Sequence, residues 1–258
     1  MGYFVGEDRN VRTKSVSFFS VGQDSGQEVW HHHPSAQSWW IGLEAVHRDV
    51  VLLHEYASPD LPDHKKIHAL DLQTGRPLWS NIEMRFVLAC DQSVIGGSDT
   101  FDRRLYYELD LHSGNVQGEV SLDRVSELRN SARIRNNEIA EFPAQISLPD
   151  VTEAGISIGH FFQSTRGGWN EIRQTEYMER ENILIIGYYE DKSSNRDGSL
   201  LEHHLALVDR GRNEVVFVDR LETNVAQAVP DSFFSIGSML YYVKDKKQLK
   251  AIRVNSGR

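Results

Sequence analysis

Ala69-Leu70-Asp71-Leu72-Gln73-Thr74-Gly75-Arg76-Pro77-Leu78-Trp79 carries the clearest structural pattern in the chain. It has the form Ala-x-Asp-x-x-Thr-Gly-x-x-x-Trp. Alternating apolar residues up to Leu72 give a strand, Thr-Gly gives a tight turn, and the chain returns in a second strand that ends on a large aromatic.

The same element recurs in weaker forms along the chain. Glu108-Leu109-Asp110-Leu111-His112-Ser113-Gly114 keeps the aspartate and the turn glycine, and Gly26-Gln27-Glu28-Val29-Trp30 keeps the glycine-to-tryptophan spacing. Leu207-Val208-Asp209-Arg210-Gly211 and Ala251-Ile252-Arg253-Val254-Asn255-Ser256-Gly257 are more diverged copies. The anchors Gly26, Gly75, Gly114, Gly211 and Gly257 stand 49, 39, 97 and 46 residues apart. A period of about 40 residues filled by some four short strands is one blade of a β-propeller, a small sheet that hides its faces against its neighbours. The expectation is an all-β propeller of five or six four-stranded blades in one domain over residues 1–258. The N-terminal strand is expected to complete the last blade, because closure leaves no open edge at the junction.

The surrounding sequence keeps this rhythm. Period-two apolar segments recur at Val16–Val21, Val50–Tyr56, Ile67–Leu72, Arg85–Ala89, Leu105–Leu111, Ile183–Tyr189, His204–Val208, Val215–Val218, Ser232–Ile236, Met239–Val243 and Leu249–Val254. Gly96-Gly97, Gly167-Gly168 and Asp197-Gly198 read as further turns. One segment breaks the pattern. From 121 to 137, Leu122, Val125 and Leu128 fall three apart behind Ser121, which predicts a short capped helix. Its arginines (124, 129, 133, 135) are interleaved with Asp123, Glu127, Glu138 and Glu141, so the segment reads as a solvated face rather than an anion-binding patch.

Composition narrows the function classes. Of 258 residues, 40% are hydrophobic and 25% charged, a globular profile that excludes a disordered chain. No stretch approaches the ~20 apolar residues of a spanning helix, so no membrane partner is expected. The formal charge of −9 argues against non-specific binding to nucleic acid. Met1 to Asn10 lacks the pattern of a signal peptide, and the expected compartment is the cytoplasm. The single cysteine, Cys90, follows Phe86-Val87-Leu88-Ala89 and reads as a buried, inert strand residue.

The segment Ala69 to Trp79 resembles the tryptophan-docking repeat of quinoprotein-type β-propellers, a relative in shape of WD-type repeats. One copy matches fully and the others partially, together over about a third of the chain. The resemblance implies a propeller in which Asp71, Gly75, Trp79, Asp110, Gly114, Gly26 and Trp30 serve structure. It does not carry the quinone chemistry, which in that family goes with longer exported chains and an adjacent cysteine pair. No cofactor is therefore expected.

Candidates for chemistry are sparse. Among 11 histidines, His31 and His33 alternate onto one face and, with His203-His204 or with His54, His64 and His68, would supply imidazole ligands to a divalent metal. No spacing motif marks them, and half-buried rim histidines are the plainer reading. Asp91, Asp99, Asp102, Glu171 and Glu190 lie where channel acids of a glycosidase would lie, with no marked pair. Trp39-Trp40 and Trp169 would anchor a sugar or peptide if exposed; strand alternation places at least one of the first two in the core.

The sequence thus favours a non-catalytic binding or scaffolding module for a protein partner. The competing reading is a glycoside-active hydrolase or lyase that takes a small carbohydrate. The two differ in whether Asp, Glu and His side chains converge in a concave pocket.

Overall fold

The computed structural model describes residues 2–34, 38–58, 61–99, 103–136, 140–168, 170, 172–191 and 200–254. The chain is mostly β, in five antiparallel sheets with two helices. It divides into two compact units, Met1–Arg135 and Asn136–Arg258.

The first unit holds three sheets. Strands β1 (Tyr3–Asn10), β2 (Ser15–Gly22) and β3 (Glu28–His32) form one meander. Strands β4 (Ile41–His47), β5 (Val50–Ser58), β6 (Leu61–Asp71) and β7 (Pro77–Asn81) form the second, and β8 (Arg85–Cys90), β9 (Ser93–Asp99), β10 (Arg104–Asp110) and β11 (Val116–Val120) the third. The central strands carry the alternating apolar residues and bury them. Val50, Leu52, Ile67 and Ala69 pack with Val94, Leu109 and Leu111, while Val51, Leu53, Leu70 and Leu72 pack with Val16, Phe18 and Trp30. Residues of β5 and of β6 therefore alternate between two clusters, and these central strands are buried on both faces.

Helix α1 (Leu122–Asn136) coincides with the expected insertion, and Arg124 N–H donates to Ser121 Oγ at 3.3 Å. Of its expected apolar stripe, Val125 is buried beside Leu88, Cys90 and Ile95, and Leu128 is half-buried. Leu122 is exposed, because it stands in the first turn ahead of the packed face. Arg124 pairs with Glu127 at 3.0 Å in solvent; the side chains of Arg133 and Arg135, and Glu138, lie outside the described residues.

The second unit holds two sheets. Strands β12 (Ala144–Ile146), β13 (Ile172–Arg180), β14 (Ile183–Asp191), β15 (Leu201–Asp209) and β16 (Glu214–Val225) form a five-stranded sheet, and β17 (Phe233–Ile236), β18 (Met239–Lys244) and β19 (Gln248–Arg253) a three-stranded one. Helix α2 (Glu153–Arg166) covers one face of the larger sheet with Ile158, Phe161 and Phe162 against Leu184, Ile186 and Tyr188.

Several expectations are corrected. The sheets have three, four, four, five and three strands, so uniform four-stranded units are not found. β1 pairs with β2, its hairpin neighbour across a four-residue turn, in one sheet with β3. Gly96 and Gly97 lie inside β9, where a Cβ on Gly96 would stand 2.8 Å from Met84 Sδ; close side-chain approach, not a turn, requires glycine there. Gly167 and Gly168 terminate α2, with Gly167 left-handed (φ 73°) and Gly168 N–H donating to the Phe162 carbonyl at 3.2 Å. In the copy at 209–211, Asn213 rather than Gly211 takes the left-handed position. Asp197-Gly198 and Gly257 lie outside the described residues.

Candidate functional site

The repeat residues sit at the joints between consecutive sheets of the first unit. In the β6–β7 turn, Asp71 Oδ1 accepts from Thr74 N–H at 2.8 Å and from Thr74 Oγ1 at 2.6 Å, and Gly75 adopts φ 67°. The β10–β11 turn repeats this with Asp110, Ser113 and Gly114: both bonds to Asp110 Oδ1 measure 2.8 Å, and Gly114 adopts φ 69°. Each glycine lies under an indole from the sheet before it. The Trp30 ring covers Gly75 and its Nε1–H donates to the Leu72 carbonyl at 2.6 Å; the Trp79 ring covers Gly114 and donates to the Leu111 carbonyl at 2.8 Å. A Cβ on either glycine would stand 2.7 or 2.5 Å from ring carbon, so φ and close approach demand glycine together. Gly26 shares the left-handed turn (φ 64°), with open space where a Cβ would be.

The histidines separate into distinct environments. His31 and His33 stack at 4.6 Å on the surface, His31 3.3 Å from Glu28, and belong to no ligand cluster among the described residues. His68 reaches Ser80 at 2.9 Å and Glu55 at 3.3 Å. His54 and His64 come together with Glu44, and His204 with Glu190 and Glu202. Burial acts to raise the Glu44 carboxyl, but the neighbouring His54 and His64 imidazoles outweigh this and leave it below the ordinary carboxylate range.

The second cluster faces a concave basin of about 450 Å³ lined by Arg166, Glu202, His204, Asp219, Arg220 and Lys244, among others. Register builds it: Glu190 lies opposite Glu202, Tyr188 opposite His204, and His204 opposite Arg220 across β14, β15 and β16. Arg166, in the last turn of α2, donates to Glu190 Oε2 at 2.7 Å and to Tyr188 Oη at 3.0 Å, and Tyr188 stacks on His204 at 5.1 Å. His204 Nε2 is 3.4 Å from Glu202 and 3.6 Å from Glu190, off line for a hydrogen bond. Burial, with the nearby Arg166 charge, lowers its pKa against the pull of the two carboxylates. Asp219 accepts from Tyr242 Oη at 2.9 Å and from Lys244 Nζ; despite burial, these partners hold its carboxyl below the ordinary range.

Of the described acids singled out in the sequence, Glu190 alone joins the His204 cluster, buried behind the residues that line the basin. Asp99 is engaged by Arg104 at 2.7 Å and Arg85 at 3.4 Å, and Asp91 occupies an exposed turn (φ 49°). Asp102 and Glu171 lie outside the described residues, as does Trp169. Neither Trp39 nor Trp40 is buried. They form a 3-10 turn before β4, and Trp39 lies between the cations of Arg9 (5.4 Å) and Lys14 (4.7 Å), a polar environment that strand alternation did not foresee. Sequence reasoning missed Arg166 because it missed α2. The signal was present: Thr152 caps the helix, Ile158, Phe161 and Phe162 make its apolar stripe, and Gly167 ends it.

Among the described residues no helix is long and apolar enough to cross a membrane. The model of a family described as a domain of unknown function, DUF4905, matches residues 1–79. No curated protein matches the chain. Solved structures of β-propeller repeat proteins are similar at low scores. BamB from Moraxella catarrhalis is 8% identical, with 96% of this chain and 76% of that chain covered and a TM-score of 0.29. TolB from Acinetobacter baumannii is 14% identical, with 98% and 61% covered and a TM-score of 0.33. The quinohemoprotein alcohol dehydrogenase ADHIIG from Pseudomonas putida HK5 is 12% identical with a TM-score of 0.26; 92% of this chain is covered, but it spans only 39% of the dehydrogenase.

Proposed function

We propose that the chain is a non-catalytic binding module for a protein partner, built as one β-propeller over residues 1–258 with the five sheets as its blades. The observation that carries this reading is the use of the repeat's polar and aromatic groups in joining successive sheets of the first unit: Asp71, Gly75, Trp79, Asp110 and Gly114 are spent on turns and docking. The basin then offers a recognition surface. It presents Arg220 and Lys244 beside Glu202, Asp219 and Asp245, both signs of charge with little apolar wall. Mixed charge of this kind suits the salt-bridged rim of a protein interface and lacks an aromatic platform for a sugar ring.

The test is cross-linking in the native host with the wild-type chain and with Arg220→Glu, whose side chain is exposed. A partner that is recovered by the wild type and weakened about tenfold or more by the charge reversal is the expected result, since like-charge contacts at an interface cost on the order of kilocalories. Recovery of the same partner by both chains removes the basin from the interface.

A second reading is favoured by one observation, the convergence of Glu190, Glu202 and His204 within 4.8 Å of one another. This is the arrangement that a glycoside-active hydrolase or lyase needs, and retaining glycosidases hold their carboxyls about 5 Å apart. Turnover of a panel of aryl glycosides or polysaccharides that disappears in Glu202→Gln replaces the binding reading with the enzymatic one. No turnover by the wild type rejects it.

A further inference from the structure

We propose that Glu44, His54 and His64 form a binding site for a divalent transition-metal ion of the zinc class, with two imidazoles and one carboxylate as protein ligands. The site lies in the first unit and is independent of the basin and of the protein-binding reading.

Three adjacent strands contribute one ligand each, and irregularities in the ladder place them. On β4 the register against β5 shifts between Leu43 and Ala45, so Glu44 is the extra residue of a bulge. Between β5 and β6 the register shifts opposite His54, where Lys66 and Ile67 face that one residue, so the extra residue belongs to β6, just beyond His64. Lys66, two residues beyond His64, takes a left-handed conformation (φ 59°) that is uncommon for a side chain with a Cβ. Bulges turn side chains away from the regular alternation, and they gather where a site must be assembled. Two on one side-chain cluster is an arrangement that packing alone does not require. Gly42 completes the construction: a Cβ there would stand 2.7 Å from His54 Nε2, so glycine makes room for the ring.

The donor atoms converge. Glu44 Oε2 is 2.9 Å from His54 Nδ1 and 2.7 Å from His64 Nδ1, and the two rings stack at 3.5 Å between centroids, 7° from parallel. Tyr56 closes the side of the pair edge-on, 4.8 Å from the His54 ring. In a tetrahedral site with bonds of about 2.0–2.1 Å to N and O, ligand atoms stand roughly 3.3 Å apart; because an imidazole lone pair lies in its ring plane, the half-exposed His64 ring must rotate out of the stack to admit the ion.

The independent sign is His54 itself. It is 2% exposed, and neither of its ring nitrogens has a hydrogen-bond partner, because Glu44 lies near Nδ1 but off line and is instead engaged by His64. A buried imidazole without partners is costly, since both nitrogens have given up water. A metal ion at the cluster gives Nδ1 an in-line partner, while Nε2 faces Gly42. No lysine or arginine among the described residues competes for Glu44: Lys66 is held by Glu55 at 2.9 Å, and Arg9 donates to the carbonyls of Trp39 and Ile41 at 2.7 Å. Two imidazoles and a carboxylate suit Zn²⁺ and its neighbours rather than Ca²⁺ or Mg²⁺, which take oxygen ligands, and three protein ligands leave a fourth position for solvent.

The experiment uses the full chain without a polyhistidine tag, stripped with EDTA. Zn²⁺ is titrated by calorimetry, and Co²⁺ is followed by its visible d–d absorption. One equivalent of saturable binding at micromolar or lower Zn²⁺ is expected, with tetrahedral-type Co²⁺ bands. His64→Gln and Glu44→Gln are expected to weaken it on the order of 100-fold or more, since even residues that only support a metal ligand are worth 10–100-fold. His64 is half-exposed, so its variant should keep the wild-type melting profile even if His54→Gln does not fold. The paired variant His31→Gln/His33→Gln should bind as the wild type does. Absence of saturable binding, binding unchanged in both His64→Gln and Glu44→Gln, or binding lost only in His31→Gln/His33→Gln each overturns the proposal.

Discussion

The two units hold sheets of the same kind together by different means. In Met1–Arg135 the joints are aromatic: an indole covers a glycine turn and donates one hydrogen bond to the carbonyl beside it, twice over. In Asn136–Arg258 the two sheets share an apolar cluster around Leu205, Leu221, Phe233 and Leu240, and the hydrogen bonds that tie them centre on a carboxylate. Glu176, 1% exposed, accepts from Asp231 N–H and Ser232 N–H at 2.9 Å and from Ser232 Oγ, which ties β13 to the segment entering β17, while Arg166 ties α2 to Glu190. The histidine–carboxylate clusters differ in the same sense. In the second unit the Arg166 guanidinium already occupies a Glu190 oxygen, whereas in the first unit no fixed cation is paired with Glu44. Similar residue types therefore make an arginine ion pair in one place and a histidine–carboxylate cluster in the other.

Removing an aromatic joint should have the largest effect. Trp30→Ala takes a buried indole off Gly75 and leaves the Leu72 carbonyl without its donor, at a cost of about 3–5 kcal/mol by denaturant unfolding. Amide exchange should rise first in residues 1–135. Equal loss of protection in both units would show that they unfold as one.

Acid should act on the other unit. Burial, and then the neighbouring His204, bring the His203 pKa down from 6.5 to about 4. The folded chain keeps this ring neutral while the unfolded chain takes up a proton, so its contribution is complete above about pH 6.5 and is lost as pH falls towards 4, by up to roughly 3 kcal/mol. Unfolding at pH 7 and pH 4.5 measures this, and His203→Phe, which keeps a ring against Tyr189 (4.1 Å), should flatten the slope.

The polar joint comes next. Glu176→Gln replaces an acceptor-only group with one that turns an NH₂ toward backbone donors, at about 2 kcal/mol, with exchange rising around Asp231 and Ser232. Smallest is Thr152→Ala, which removes the α2 cap that accepts from Gly155 N–H at 3.1 Å, for about 1 kcal/mol, read as a small shift in melting temperature.

The first unit was far more legible than the second for a physical reason. A turn that needs φ above zero beneath an indole admits glycine alone, so Gly75 and Gly114 with Trp30 and Trp79 leave a spaced signature. A polar joint leaves none: Glu176 and Ser232 are 56 positions apart, and either residue type is ordinary in a strand or loop. Gly167-Gly168 misled because a glycine pair ends a helix as readily as it turns a hairpin, and only the stripe of Ile158, Phe161 and Phe162 distinguishes the two.

From sequence alone came the antiparallel strand rhythm, the Asp–Gly–Trp repeat, helix α1 and the burial of Cys90, since each depends on local periodicity or on the stereochemistry of a single turn. Tertiary structure decided the strand count of each sheet, the pairing of β1 with β2, and which of the 11 histidines meet a carboxylate. Those depend on register. A one-residue bulge at Glu44, or on β6 opposite His54, turns a side chain to a new face and leaves no trace in composition, spacing or charge.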